Sequence, residues 1–208
     1  YNVTIKGLRG GHSGVDINLG RGNANKLMFR FLQQAESDFG IQLVSYRGGD
    51  LRNAIPREAF ATLVVPSIKK DQFEKFVAGY QTIYGDEFKE TDPDVKFFAD
   101  KCAAPEKVMN AGDQYRIIRS VFVCPNGVQR MSASMPGMVE TSNNLAVVNI
   151  HEGKFVAHSL TRSSVETAKI ATAWKIAAVF QLIDAKVELT GSYPGWNPNM
   201  SSPILKAM

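Results

Sequence analysis

Cysteine and histidine are scarce in this chain, with two of the first and three of the second among 208 residues. Cys102 and Cys124 lie far apart and show no Cys-x-x-Cys spacing, which argues against a zinc ribbon, a redox pair or a disulfide framework. They are expected to act as small buried hydrophobes in a reducing cytoplasm. His12, His151 and His158 form no HxxxH, HxD or HExxH pattern, so no complete metal site is expected. His151 and His158 fall on a predicted hairpin at opposite parity and read as strand residues. Long apolar runs are missing as well: Ile176–Ile183, uncharged but interrupted by Gln181, has eight residues, far short of the ~20 that cross a bilayer. No membrane partner is therefore expected. Basic blocks are also absent, since 24 Lys and Arg against 20 Asp and Glu give a net charge of +4 that is spread along the chain. A surface that tracks a nucleic acid needs clustered charge, so nucleic acid is not expected as a partner either.

What is present is enough hydrophobic sequence, 44%, to build a core for one or two compact domains. Tyr1, Val3 and Ile5 alternate with polar residues as in a half-buried strand, which the glycine-rich stretch Gly7 to Gly14 ends. Leu27, Met28, Phe31, Leu32 and Ala35 then recur with helical spacing up to Gly40. Ile41 to Tyr46 and Phe60 to Val65 read as strands, separated by a turn at Gly48-Gly49-Asp50. Pro66-Ser67 opens a second helix with Phe73, Phe76, Val77 and Tyr80 on one face, and Val95 to Ala99 is a further strand. The order β-α-β-β-α-β is that of a ferredoxin-like α+β sandwich, an antiparallel sheet with its helices on one face.

The remainder predicts a helix over Tyr115 to Val123, a hairpin of Leu145 to Ile150 and Phe155 to Leu160 turning at Glu152-Gly153, a helix over Val165 to Ile183, and a last strand at Val187 to Leu189. This α-β-β-α-β order repeats the first unit without its opening strand, so two related halves sharing one sheet are expected. Tyr193 to Ser202, with two prolines, a glycine and two asparagines, reads as a hinge. Beyond it, Ser201 or Ser202 with Pro203 marks the start of another helix running to Met208. A start within a strand pattern and a stop within a helix pattern predict a piece of a longer protein.

Three residues stand out for chemistry. His12 sits in Gly10-Gly11-His12-Ser13-Gly14 directly after a strand, where glycines allow a tight turn and close approach of a ligand. A plain bend is the alternative, and a Ser-His-Asp triad with Ser13 and Asp16 is too local to reach triad geometry. Asn53, in Arg52-Asn53-Ala54-Ile55-Pro56, offers both a donor and an acceptor to a carbonyl or carboxylate, or else shapes a turn. Arg162, ending a strand before Ser163-Ser164, could clamp a carboxylate, or lie in solvent near Glu166.

The segments VTIKGLRGGHSGVDINLGRGNANKL, GGDLRNAIPREAFA, GVQRMSASMPGMVETSNNLAVV and SLTRSSVE, in this order, resemble the aminoacyl-histidine (Xaa-His) dipeptidases, or peptidase D, of the M20-type zinc metallopeptidases. The resemblance implies that residues 1–191 are the lid, or dimerisation, domain inserted in such an enzyme. It implies that residues 192–208 are the hinge and the start of the second catalytic-domain segment. Zinc, its ligands and the acid-base glutamate would then lie in the missing catalytic domain, with no metal held here. It further implies His12 as the lid histidine on the substrate carbonyl and its oxyanion, Asn53 in substrate binding, and Arg162 on the substrate's C-terminal carboxylate. Met135-Pro136-Gly137 and Ser142-Asn143-Asn144 also resemble family motifs and are expected to shape the backbone. A dipeptide substrate, a cytoplasmic setting and a homodimer formed through the lid follow from the same resemblance. A non-catalytic ferredoxin-like module that dimerises or senses a small ligand would share the element order.

Overall fold

The computed structural model describes residues 1–196. The helix expected from Ser201 or Ser202 to Met208 lies outside the described residues, as does most of the predicted hinge. The first unit runs β1 (Asn2–Lys6), β2 (Gly11–His12), α1 (Ala24–Phe39), β3 (Gln42–Gly48), β4 (Ala54–Ile55), β5 (Ala59–Val64), α2 (Lys70–Glu87) and β6 (Lys96–Asp100). Its four long strands lie in the order β6-β1-β5-β3, all antiparallel. That is the fourth, first, third and second strand of a β-α-β-β-α-β unit, the ferredoxin-like arrangement expected from the sequence.

Local chemistry sets the helix limits. Asn23 caps α1 by accepting from the Lys26 N–H at 3.2 Å. Gly40, at φ 66°, ends α1 in the left-handed conformation and returns its N–H to the Glu36 carbonyl. A 3-10 turn over Ser67–Lys69, entered from Pro66, leads into α2. The buried faces of α1 and α2 meet the sheet through an aromatic cluster. Phe31 lies 6.0 Å or less, centroid to centroid, from Phe73, Phe76, Tyr80 and Phe97, mostly in tilted or edge-on contacts.

The second half continues the same sheet with α3 (Ala111–Val123), β7 (Gly127–Met131), β8 (Val139–His151), β9 (Lys154–Ser163) and α4 (Glu166–Gln181). β8, 13 residues long, carries β9 along one edge. Its other edge is shared: the end of the strand pairs with β3 at Tyr46, Arg47 and Gly48, and its start pairs with β7. The two halves share one sheet, as the sequence predicts. The expected α-β-β-α-β order is corrected in two places. β7 is an additional strand between α3 and β8, and residues 187–189 form no strand. The chain leaves α4 through Asp184 at φ 60°, and Ala185 returns its N–H to Phe180. Ala185 and Val187 then pack against the core by their side chains, so the segment is held without a sheet ladder.

Lys26 joins the halves. It reaches from α1 to the C-terminal end of α3 and donates to the carbonyls of Val121 at 3.0 Å, Cys124 at 2.8 Å and Phe122, which otherwise lack intrahelical partners. Burial lowers its amine pKa, and the same burial pushes the Cys124 thiol up to about 11. Cys124 is thus a packed hydrophobe, as its sequence context predicts, whereas Cys102 is exposed.

Candidate functional site

The glycine-rich loop after β1 folds back as β2 and pairs with β4, so that His12 lies opposite Ala54. One further bond ties the two loops, from the Ser13 N–H to the Asn53 carbonyl at 2.8 Å. Asn53 therefore stands beside His12 through its main chain, with its side chain exposed. Arg162 comes from the far end of β9, opposite Ser142 of β8. A Cβ on Gly14 would fall 3.1 Å from His12 Cε1 and 3.3 Å from both Cδ and Nε of Arg162. The imidazole and the arginine stem therefore flank the same α-carbon, and a side chain there would press on both. The three residues singled out in the sequence thus meet at one corner, although they come from three separate segments.

The orientation of the imidazole is fixed by its own loop. Nδ1 accepts from the N–H groups of Gly14 and Val15, each at 3.2 Å. In the neutral ring this assigns the proton to Nε2, leaving an exposed donor. Asp16 binds the His12 main-chain N–H at 2.8 Å rather than the ring, so the geometry is not that of a Ser-His-Asp triad. Arg21 closes the loop by donating to the Gly10 carbonyl at 2.6 Å.

Two buried polar groups that hydrophobic periodicity could not reveal hold these loops. Asp92, fully buried, accepts from Arg9 N–H at 2.7 Å and Gly22 N–H at 2.9 Å, clamping both ends of the His12 loop. Asn144, also fully buried in β8, donates to the carbonyls of Arg52 at 3.2 Å and Ala54 at 2.8 Å, which fixes the Asn53 turn. Asn23 and Asn25 extend this network to the Leu145 carbonyl at 3.1 and 3.2 Å, and Tyr46 Oη donates to Asn25 Oδ1 at 2.7 Å. The Asn-rich stretches Gly22-Asn23-Ala24-Asn25 and Ser142-Asn143-Asn144 were the available signal. The backbone-shaping role expected of the latter is what Asn143 and Asn144 perform, Asn143 by donating to the Pro125 carbonyl at 2.6 Å.

Truncating Asn144 removes the donor from two part-buried carbonyls, and Asn144→Ala is expected to reduce unfolding free energy by about 2 kcal/mol in denaturant titrations. Asn144→Asp is expected to be at least as damaging, because it sets a third acceptor against those two.

Residues 3–92 match the M20-type peptidase dimerisation domain. This chain is thus similar over those residues to a peptidase dimerisation domain. It is 39% identical over 205 residues to the cytosol non-specific dipeptidase of Escherichia coli (strain K12), covering 99% of this chain and 42% of that protein. It also matches the crystal structure of aminoacylhistidine dipeptidase from Vibrio alginolyticus with a TM-score of 0.95 and 40% identity, covering 99% of this chain and 42% of that one. The chain thus spans well under half the length of the relatives it matches. His12 and Asn53 lie within the residues that match the dimerisation domain, and Arg162 lies in the second half that completes its sheet.

Zinc, which the resemblance implies for such enzymes, finds no ligand set here. Among the described residues no three His, Cys, Asp or Glu side chains are grouped to hold a metal ion. These residues do not fit a zinc site, and the role derived below needs none. No helix among the described residues is long and apolar enough to cross a membrane.

Proposed function

We propose that this chain is the lid and dimerisation part of a cytoplasmic zinc dipeptidase, with residues 1–191 forming the lid and residues 192–208 forming the hinge back to a catalytic domain. The substrate class is Xaa-His-type dipeptides. The observation that carries the reading is that the His12 ring, with Nε2–H free to donate, and the Arg162 side chain lie against the same α-carbon, that of Gly14. A dipeptide presents a scissile carbonyl and a free carboxylate only one residue apart, so an enzyme that selects it needs one donor for each within a short span.

In this reading the Arg162 guanidinium takes the substrate's C-terminal carboxylate. His12 Nε2–H donates to the scissile carbonyl oxygen and more strongly to the oxyanion that develops there. Asn53 lines the wall next to His12, where its amide can meet the peptide backbone of the substrate. Asp92 and Asn144 hold the two loops so that neither donor must be ordered at the moment of reaction. Because these donors sit on a part separate from the proposed metal-bearing domain, closure of the lid completes the site and excludes water. The homodimer formed through the lid and the cytoplasmic setting belong to the same proposal, supported by the dimerisation-domain match and by the cytosolic relative.

The test compares this chain with the full-length parent. The parent is expected to hydrolyse Xaa-His dipeptides, to lose the activity to a chelator and to regain it with zinc. The chain by itself should hydrolyse none and bind zinc no tighter than micromolar in calorimetry. Stoichiometric tight zinc on the isolated chain would overturn the assignment of the metal to another domain.

A further inference from the structure

Residues 193–195 open the predicted hinge, and the proposed function gives them no part in binding. They run against the N-terminal end of α4, beside the end of β9 that carries Arg162. Gly195 donates its N–H to Glu166 Oε2 at 2.9 Å. Lys169 donates to the Tyr193 carbonyl, pairs with Glu166 at 2.9 Å, and lies 5.9 Å from the centre of the Tyr193 ring. Lys169 and the Gly195 N–H together hold the Glu166 carboxyl below the usual carboxylate range. A Cβ on Gly195 would lie 2.9 Å from the carbonyls of Ser163 and Ser164, so the segment rests directly on that end of β9. The Tyr193 hydroxyl is thereby placed 3.1 Å from Arg162 Nη1.

The direction of this last bond decides what the pair can do. A guanidinium only donates, so the Tyr193 oxygen is the acceptor and its own O–H remains to donate elsewhere. Tyr193 is 64% exposed, which leaves that hydroxyl accessible to an incoming ligand. Arg162 Nε is buried and has no hydrogen-bond partner among the described residues, so the guanidinium is not saturated by the fold. A carboxylate laid against the outer guanidinium nitrogens of Arg162 would meet their N–H groups and, about one hydrogen-bond length from Nη1, a phenolic O–H.

We propose that Tyr193 is a second carboxylate-selecting residue, its hydroxyl donating to the substrate's C-terminal carboxylate alongside Arg162. The inference rests on the reading of Arg162 given under the proposed function. It also makes the mouth of the hinge part of the substrate site, so that a substrate ending in a carboxylate is read by the lid and the hinge together.

The test uses the full-length enzyme and one dipeptide as its free acid and as its C-terminal amide. Tyr193→Phe keeps the ring against Lys169 and every main-chain contact, and removes only the hydroxyl. It is expected to lower kcat/KM on the acid about tenfold, mainly through KM, and to leave the amide unchanged. In an Arg162→Met background it should have no further effect on the acid. If Tyr193→Phe lowers acid and amide alike, or changes neither, while Arg162→Met equalises the two substrates, the hydroxyl role is wrong and the reading of Arg162 stands. If Arg162→Met leaves the preference for the acid intact, that reading fails and takes this inference with it.

Discussion

Replacing His12 by alanine in the full-length enzyme is expected to lower kcat on a dipeptide by roughly 10²-fold or more, with a much smaller change in KM. The reason lies in when the contact is strong. A carbonyl oxygen in the bound substrate carries a partial charge and accepts from Nε2–H only modestly. The oxyanion that forms after attack carries a nearly full charge, so the same donor gains strength as the barrier is climbed. Its effect is larger because the ring needs no reorganisation: two main-chain N–H groups already point at Nδ1, and Asp16 and Arg21 brace the loop from outside. Steady-state kinetics decide the matter. A rise in KM alone would make His12 a ground-state contact, and unchanged kinetics would reduce the pentad Gly10–Gly14 to a bend.

The second large effect concerns Arg162 and is separated from general damage by changing the substrate together with the enzyme. Amidating the C-terminus of the dipeptide is expected to cost about as much in kcat/KM as Arg162→Met does on the free acid, on the order of 2 to 4 kcal/mol for loss of a desolvated charge-assisted pair. The two losses should not add, because each removes the same interaction. The variant should therefore treat acid and amide alike. Additive losses would place the arginine's action elsewhere, and a preserved preference for the acid would assign the carboxylate to another cation. Lysine is not expected to rescue the variant fully, since a point charge cannot reproduce the planar fork.

A polar framework supports both predicted effects, and it accounts for much of the distance between reading the sequence and seeing the fold. The ends of α1 were readable because its apolar spacing and Gly40 are local signals that the chain obeys wherever it packs. β5 was readable for the same reason, since it alternates strictly between the core and the other face of the sheet, whereas β1, β3 and β6 were readable as short apolar-rich segments bounded by turn residues. β7 gave no such signal, since its residues are at most half-buried and no buried row repeats along it. The sequence of β8 has a strand pattern only from Leu145 onward. Its first half, through Thr141, Ser142, Asn143 and Asn144, is buried yet polar, and such residues read as a turn until their partners are known. Val187 to Leu189 failed in the opposite sense, looking apolar enough for a strand but joining no sheet ladder.

The sequence by itself determined the class of fold, the glycine-flanked histidine, and three residues of the right chemistry for a carbonyl and a carboxylate. These are properties of composition, periodicity and short motifs, and each is set within a dozen or so neighbouring residues. What only the tertiary structure decided is that His12, Asn53 and Arg162 occupy one corner, that Nδ1 faces inward so that Nε2 is the donor, and that Asp92, Asn144 and Tyr193 attend them. Those facts depend on β9 returning along β8 and on the β2-β4 ribbon being tied to β8 through Asn144. Pairings between distant segments are selected by how the whole sheet buries its faces and satisfies its backbone groups, and no local pattern carries that information.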